Sequence, residues 1–215
     1  MKTRKKIGII GAGGFGKETL CCLIDSIAHT SLKIEDIACF LVSDEHVDTD
    51  FVLDIPVVPL SQFNPKHYDV VVAIGDPVSR RKMVESLPKK TTFTTIIHPK
   101  ASISKWVEIG EGSIITAGVV LTCDIKIGKH AHINLHTSIG HDCQIGDYFT
   151  TAPAANISGH CHFGNGIYIG TNASIRQNIT ICDNVIVGMG GVVLRNIDES
   201  GVYIGNPLKK LEKKV

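Results

Sequence analysis

Taken every sixth residue, the chain from Ile97 onward reads Ile97, Ile103, Ile109, Ile115, Leu121, Ile127, Ile133, Ile139, Ile145, Thr151, Ile157, Phe163, Ile169, Ile175, Ile181, Val187 and Val193, with Thr151 the only polar member. A helix repeats near 3.6 residues and a half-buried strand near 2, and neither sustains a period of six over so long a stretch. The residue four places on is mostly small or β-branched, as at Ala101, Val107, Ser113, Val119, Ala131, Thr137, Cys143, Ala155, Cys161 and Ala173. Glycine follows the aliphatic position at Gly110, Gly128, Gly140, Gly146, Gly164, Gly170 and Gly188. A corner there is expected to demand a backbone conformation that only a residue without Cβ adopts cheaply. Each hexad then makes a short strand and a corner. Three hexads close a triangular coil of about eighteen residues, which hides its aliphatic column only by stacking on its neighbours. The pattern predicts a parallel β-helix over residues 97–198, with about five to six coils and no long protruding loop. A β-sandwich would need hairpin turns and variable loops, and none interrupt the period.

Residues 1–96 follow a different logic. Lys6 to Ile10 reads as a strand, Phe15 to Ile27 as a helix, Ile37 to Val42 and Asp69 to Ile74 as further strands, and Pro77 to Leu87 as a second helix, with Thr92 to Ile97 leading into the first coil. Such βαβ alternation predicts a parallel sheet. Between the first strand and helix, Gly11-Ala12-Gly13-Gly14-Phe15-Gly16 satisfies GxGxxG, the context in which amides at a helix N-terminus cradle phosphate. A second turn, Ala73-Ile74-Gly75-Asp76, ends a strand at the same carboxyl edge, where open α/β sheets bind ligands. A nicotinamide dehydrogenase would need two such halves, and the module has room for one. The acidic residue beyond the second strand, Asp44, also lies further from the glycines than the roughly twenty residues expected for a ribose contact. A half-site for a single nucleotide is the expectation, with Gly11, Gly13, Gly14, Phe15, Asp44, Gly75 and Asp76 as candidate contacts.

Composition limits the partners. The net charge of +1 gives no global field toward nucleic acid or a membrane surface, and no apolar run reaches the length of a transmembrane helix. The basic Met1 to Lys6 segment is followed by glycine-punctuated sequence without a small-residue cleavage site, so a signal peptide is not expected. The cysteines, 7 in all, lack framework spacing. Cys143 and Cys161 are expected as small core residues in a reducing cytoplasm.

GAGGFGKE near the N-terminus, the AIGD turn, the uninterrupted hexads, the GHDCQIGD segment and the closing GVYIGNPLKKL together resemble a group of bacterial sugar acetyltransferases. That group covers sialic acid O-acetyltransferases and the N-acetyltransferases of bacillosamine, perosamine and viosamine precursors. The resemblance implies a left-handed β-helix and a homotrimer with active sites between subunits. It also implies acetyl-CoA as co-substrate without a metal, and N-acetylation of a nucleotide-linked 4-amino-4,6-dideoxy sugar in cell-surface glycan biosynthesis. By the same likeness His141 is the general base and Asp142 its orienting partner, while Thr150, Gly159, Thr171 and Met189 contact coenzyme A. Thr150 stands where many relatives carry histidine, and the failed beat at Thr151 beside Pro153 predicts a local bulge. Lys209 and Lys210, in the 199–215 tail, are candidates for the coenzyme's phosphates.

Acyl transfer from a thioester to an amine requires a base that titrates near working pH and a donor for the developing oxyanion. His141 supplies the first. The backbone N–H of Gly159, one coil above, is a candidate for the second. The other coil histidines, His130, His132, His136, His160 and His162, are expected to be solvated corner residues that do not converge on a metal. Two alternatives remain open from sequence: an O-acetyltransferase acting on a sugar hydroxyl, and a non-catalytic nucleotide-binding trimeric scaffold. The carrier nucleotide, whether uridine, thymidine or guanosine, is left undetermined.

Overall fold

A computed structural model describes residues 5–212; residues 1–4, and with them most of the basic N-terminal segment, lie outside the described residues. The N-terminal unit contains β1 (Lys6–Ile10), α1 (Gly14–Ile27), a short α2 (Ile34–Ile37), β2 (Ala38–Val42), β3 (Phe51–Val52), β4 (Ile55–Pro59), β5 (Tyr68–Val72), α3 (Pro77–Ser86) and β6 (Thr92–Phe93). They form one sheet in the order β3-β4-β2-β1-β5-β6, parallel except for the β3–β4 hairpin. The sequence reading missed that hairpin and α2.

The sheet is buried on both faces, which is why its strands read as continuous apolar runs. Ile9, Phe40 and Val71 pack with Leu20 and Leu23 of α1 on one side, while Ile10, Leu41 and Val72 meet Met83 and Val84 near α3 on the other. Helix α1 is itself covered, because its cluster includes Ile96 and Ile114 from the first coils. The His98 Nε2–H donates to Asp25 at 2.7 Å and pins the helix there.

From Ile96 onward the chain winds as a parallel β-solenoid with three faces. The first face runs from Ile96–Ile97 to Val185–Val187, the second from Ser102–Ile103 to Val192–Val193, and the third from Val107–Ile109 to Thr180–Ile181. Every strand pairs in parallel with the strand eighteen residues away, as in Ile133↔Thr151 and Ile139↔Ile157. The aliphatic column fills the interior, with Ile115, Ile133, Ile139 and Ile169 all fully buried. Each such side chain contributes about 1.5–3 kcal/mol relative to exposure. The period runs without a protruding loop.

Two expectations are corrected. The glycines after the aliphatic position do not carry the unusual backbone geometry. Positive φ, between 52° and 73°, falls two residues later and recurs at every sixth residue from Gly112 to Gly190, including Asp124, Asp142 and His160. The aliphatic-following glycines are required by proximity instead: a Cβ on Gly110 would lie 2.5 Å from the Gly128 carbonyl carbon. Nor is there a bulge at Thr151, because Thr150–Thr151 pairs in register on both sides. The Thr151 hydroxyl meets its buried surroundings by bonding the Asn134 N–H at 2.9 Å and the Thr137 hydroxyl at 2.9 Å. Gly201–Ile204 extends the first face, and Lys209–Lys210 folds back on it antiparallel.

Candidate active site

The glycine turn packs the start of α1 closely against the end of β1. Gly11 adopts φ of +103°, and a Cβ on Gly16 would lie 2.9 Å from the Gly11 carbonyl carbon, so both are needed to bring α1 close against the end of β1. Gly13 and Gly14 have nothing within 4 Å of where a Cβ would be. Both residues are exposed and neither amide donates a hydrogen bond among the described residues, so both are available at the N-terminus of α1, where the helix dipole favours an anion. A cavity of about 550 Å³ opens there, lined by Gly11, Gly13, Lys17, Ser43, His46 and Asp48 among others.

Two of the acidic candidates are already engaged within the chain. The Asp44 carboxylate accepts from the Ser61 N–H at 3.1 Å and from the Ser61 hydroxyl, bonds that hold its pKa below the usual carboxylate range. Its neighbours Ser43, His46 and Asp48 line the cavity in its place. Asp76 caps α3 by accepting the Ser79 N–H at 2.7 Å.

Arg80, which sequence reading passed over, joins the two units. Its side chain is fully buried and reaches the carbonyls of Ile74 at 2.8 Å, Gly75 at 3.1 Å, His130 at 3.0 Å and Tyr148 at 2.9 Å. It also donates to the Thr150 hydroxyl at 2.7 Å and to His132 Nδ1 at 3.0 Å. His132 Nε2–H in turn donates to the Val72 carbonyl at 2.9 Å, which fixes the neutral tautomer. Burial lowers the guanidinium pKa to about 9, still charged at neutral pH. Thr150 is therefore a buried junction residue whose hydroxyl belongs to Arg80, and Gly75 serves as an acceptor for the same group. His130 and His132 are likewise buried and not solvated corners. The only signal in sequence was an arginine four residues behind the AIGD turn, and that type of residue has no apolar period to reveal its partner.

The corner that carries His141 lies on the edge between the second and third faces. His141 Nδ1 is 2.7 Å from Asp142 Oδ2, which leaves Nε2 free as the basic nitrogen. Asp142 adopts a φ of 58°, the corner geometry that recurs at every sixth residue. Gly159 sits directly above: a Cβ there would come within 2.8 Å of the imidazole. No hydrogen bond among the described residues uses the Gly159 N–H. Against expectation the histidines partly converge, since the His160 ring lies edge-on to His141 with centroids 4.9 Å apart and its Nε2 is 3.8 Å from Asp142. Cys143 and Cys161 are buried free thiols, as expected.

The remaining candidates are dispersed. Thr171 and Met189 lie on the edge between the first and second faces, one whole face away from His141, with Met189 80% exposed. Lys210 pairs with Glu199 at 2.8 Å and is not a free cation, whereas Lys209 is exposed.

The family described as the PglD N-terminal domain matches residues 6–87. GDP-perosamine N-acetyltransferase of Escherichia coli O157:H7 is 32% identical over 80% of this chain and 78% of that protein. The chain belongs to this family of bacterial sugar acetyltransferases. WeeI from Acinetobacter baumannii AYE superposes with a TM-score of 0.88 at 34% identity, covering 97% of this chain and 100% of that one. A Caulobacter crescentus perosamine N-acetyltransferase variant, with one histidine replaced by asparagine, was solved with CoA and GDP-perosamine. It superposes at 0.86 with 29% identity over 98% and 99% of the two chains. The sugar acetyltransferase family thus shares both units of this chain in one arrangement. Among the described residues no helix is long and apolar enough to cross a membrane.

Proposed function

We propose that this sugar acetyltransferase moves the acetyl group of acetyl-CoA onto the amine of a nucleotide-linked 4-amino-4,6-dideoxy sugar, with His141 as general base. The observation that carries the reading is the His141 Nδ1 to Asp142 contact of 2.7 Å beside the Gly159 N–H, which no hydrogen bond among the described residues uses. A base of fixed tautomer and an oxyanion donor stand on one corner. As the amine attacks the thioester carbonyl, His141 Nε2 takes its proton, Gly159 donates to the oxyanion, and collapse expels the thiolate of coenzyme A, which is then protonated. The phosphates of the sugar nucleotide lie on the Gly13 and Gly14 amides, and its nucleoside fills the cavity lined by Ser43 and His46.

The placement of the candidates supports a shared site. Within one chain the nucleotide turns face the first face of the solenoid, whereas His141 stands on the opposite edge of the second. A homotrimer would bring His141 of one copy against the Thr171 and Met189 edge of the next, with coenzyme A lying in the groove between them. Residues 1–96 would then carry the nucleotide and residues 97–198 the chemistry, with Gly201–Ile204 extending the first face. Seven free cysteines suit a reducing cytoplasm.

The test is acetyl transfer to UDP-, dTDP- and GDP-linked 4-amino sugars beside their 4-hydroxy counterparts. Activity on one amine, lowered about 10²–10⁴-fold by His141→Ala and less by Asp142→Asn, is the expected result. Preference for the hydroxyl compound would move the enzyme to O-acetylation, and full activity of His141→Ala would remove the mechanism.

A further inference from the structure

A second cavity, of about 280 Å³, lies on the other side of α1 from the nucleotide cavity, between that helix and the first face of the solenoid. Phe15, Glu18, Gly75, Asn134, Tyr168 and Thr171 contribute to its lining. The two cavities flank the same turn: Gly11 to Gly13 and Lys17 border the first, Phe15 and Glu18 the second. A ligand whose phosphates sit on the Gly13 and Gly14 amides therefore has a compartment for each of its ends.

The polar atoms left unsatisfied define what the smaller cavity accepts. Much of its wall is already engaged: His132 uses both ring nitrogens, and the Thr150 hydroxyl and Gly75 carbonyl are bonded to Arg80. The Thr151 hydroxyl is held by Asn134 and Thr137. Asn134 spends its Oδ1 on the Leu135 N–H at 2.8 Å, which leaves its Nδ2 free to donate. Among the described residues, Glu18 makes no hydrogen bond or ion pair, and neither the Tyr168 nor the Thr171 hydroxyl has a partner. One carboxylate, one amide donor and two hydroxyls thus face a space at the small end of ligand-site volumes. A second nucleoside would meet a charge with no matching group. A single pyranose ring carrying an ammonium would satisfy the carboxylate and use the other three groups for its hydroxyls.

We infer that Glu18 is the specificity residue of this cavity and holds the sugar's protonated amine. The inference rests on the proposed function for the identity of the ligand. Thr171 then stands where the sugar and the acyl carrier meet. Glu18 selects the amine on arrival and releases it to the base, so its effect falls on binding and on the choice between amine and hydroxyl.

The test is calorimetry without acetyl-CoA, using UDP-, dTDP- and GDP-linked 4-amino sugars, their 4-hydroxy counterparts and the free nucleoside diphosphates. Wild type should bind one amino compound at least tenfold tighter than its hydroxyl counterpart. Glu18→Gln should abolish that preference, a loss of about 10–100-fold for a charge-assisted hydrogen bond, while diphosphate affinity stays within about twofold. Because Glu18 is exposed, the substitution does not threaten the fold. An unchanged preference in Glu18→Gln, no preference in wild type, or a parallel loss of diphosphate affinity would each overturn the inference. If wild type shows the preference and loses it on substitution yet transfers no acetyl group to any of these amines, the subsite stands and the proposed function fails.

Discussion

Arg80 carries a charge into the junction without meeting a carboxylate among the described residues, and it is tolerated there because its N–H groups find carbonyls, a hydroxyl and an imidazole. The neighbouring histidines answer to the same surroundings. Burial, with Arg80 also acting against a second positive charge, holds His132 well below its ordinary pKa and brings His130 down to about 4. His130 packs between Tyr148, with ring centroids 5.3 Å apart, and Phe93, at 4.6 Å, and its buried Nδ1 has no hydrogen-bond partner among the described residues. Since the folded pKa lies below the unfolded one, the unfolded chain binds more protons in acid. The stability is fully present above about pH 6.5 and is lost as pH falls toward 4. The melting temperature of wild type should therefore fall between pH 7 and 5. His130→Phe keeps the aromatic contacts without the titrating group, so its curve should be shallower over that interval. An equally steep fall in the variant would contradict the assignment.

At the scale of elements, the solenoid was legible because one period dictates strand, corner and core together, so each hexad repeats the evidence of the last. The N-terminal strands and helices were legible too, with boundaries within a residue or two, whereas the β3–β4 hairpin is too short for alternation to show. The geometry of the candidate site was legible where it is local, in the His141–Asp142 contact and the uncrowded Gly13-Gly14 turn. It was opaque where meaning comes from contact between units: His130 and His132 occupy ordinary corner and strand positions until the N-terminal unit covers them, and Asp44 looks free until Ser61 folds onto it. The hexad glycines were recognised for the wrong reason. Close approach, and not backbone freedom, makes Gly110 necessary, whereas Gly190, at φ +65°, has open space around it. Gly110→Ala should cost about 1–3 kcal/mol through overpacking against backbone, more than the roughly 1 kcal/mol of left-handed strain in Gly190→Ala. Thermal melts in the reverse order would contradict this division of labour.

For the whole molecule, the central claim is that no single chain contains a working site. The glycine turns open beside the first face of the solenoid, His141, the proposed base, stands beyond the second, and the proposed trimer joins the one to the other across a subunit boundary. Gly14→Val should block the phosphate turn and His141→Ala should remove the base, so each homotrimer should be inactive. Co-expressing the two variants and assaying the mixed trimers measures the claim directly. If the sugar nucleotide is held by one copy and deprotonated by His141 of the partner subunit, random assembly restores about a quarter of the sites, each pairing an intact turn with an intact base. Activity near a quarter of wild type is the predicted result; mixed trimers as inactive as their parents would show that turn and base must come from the same chain.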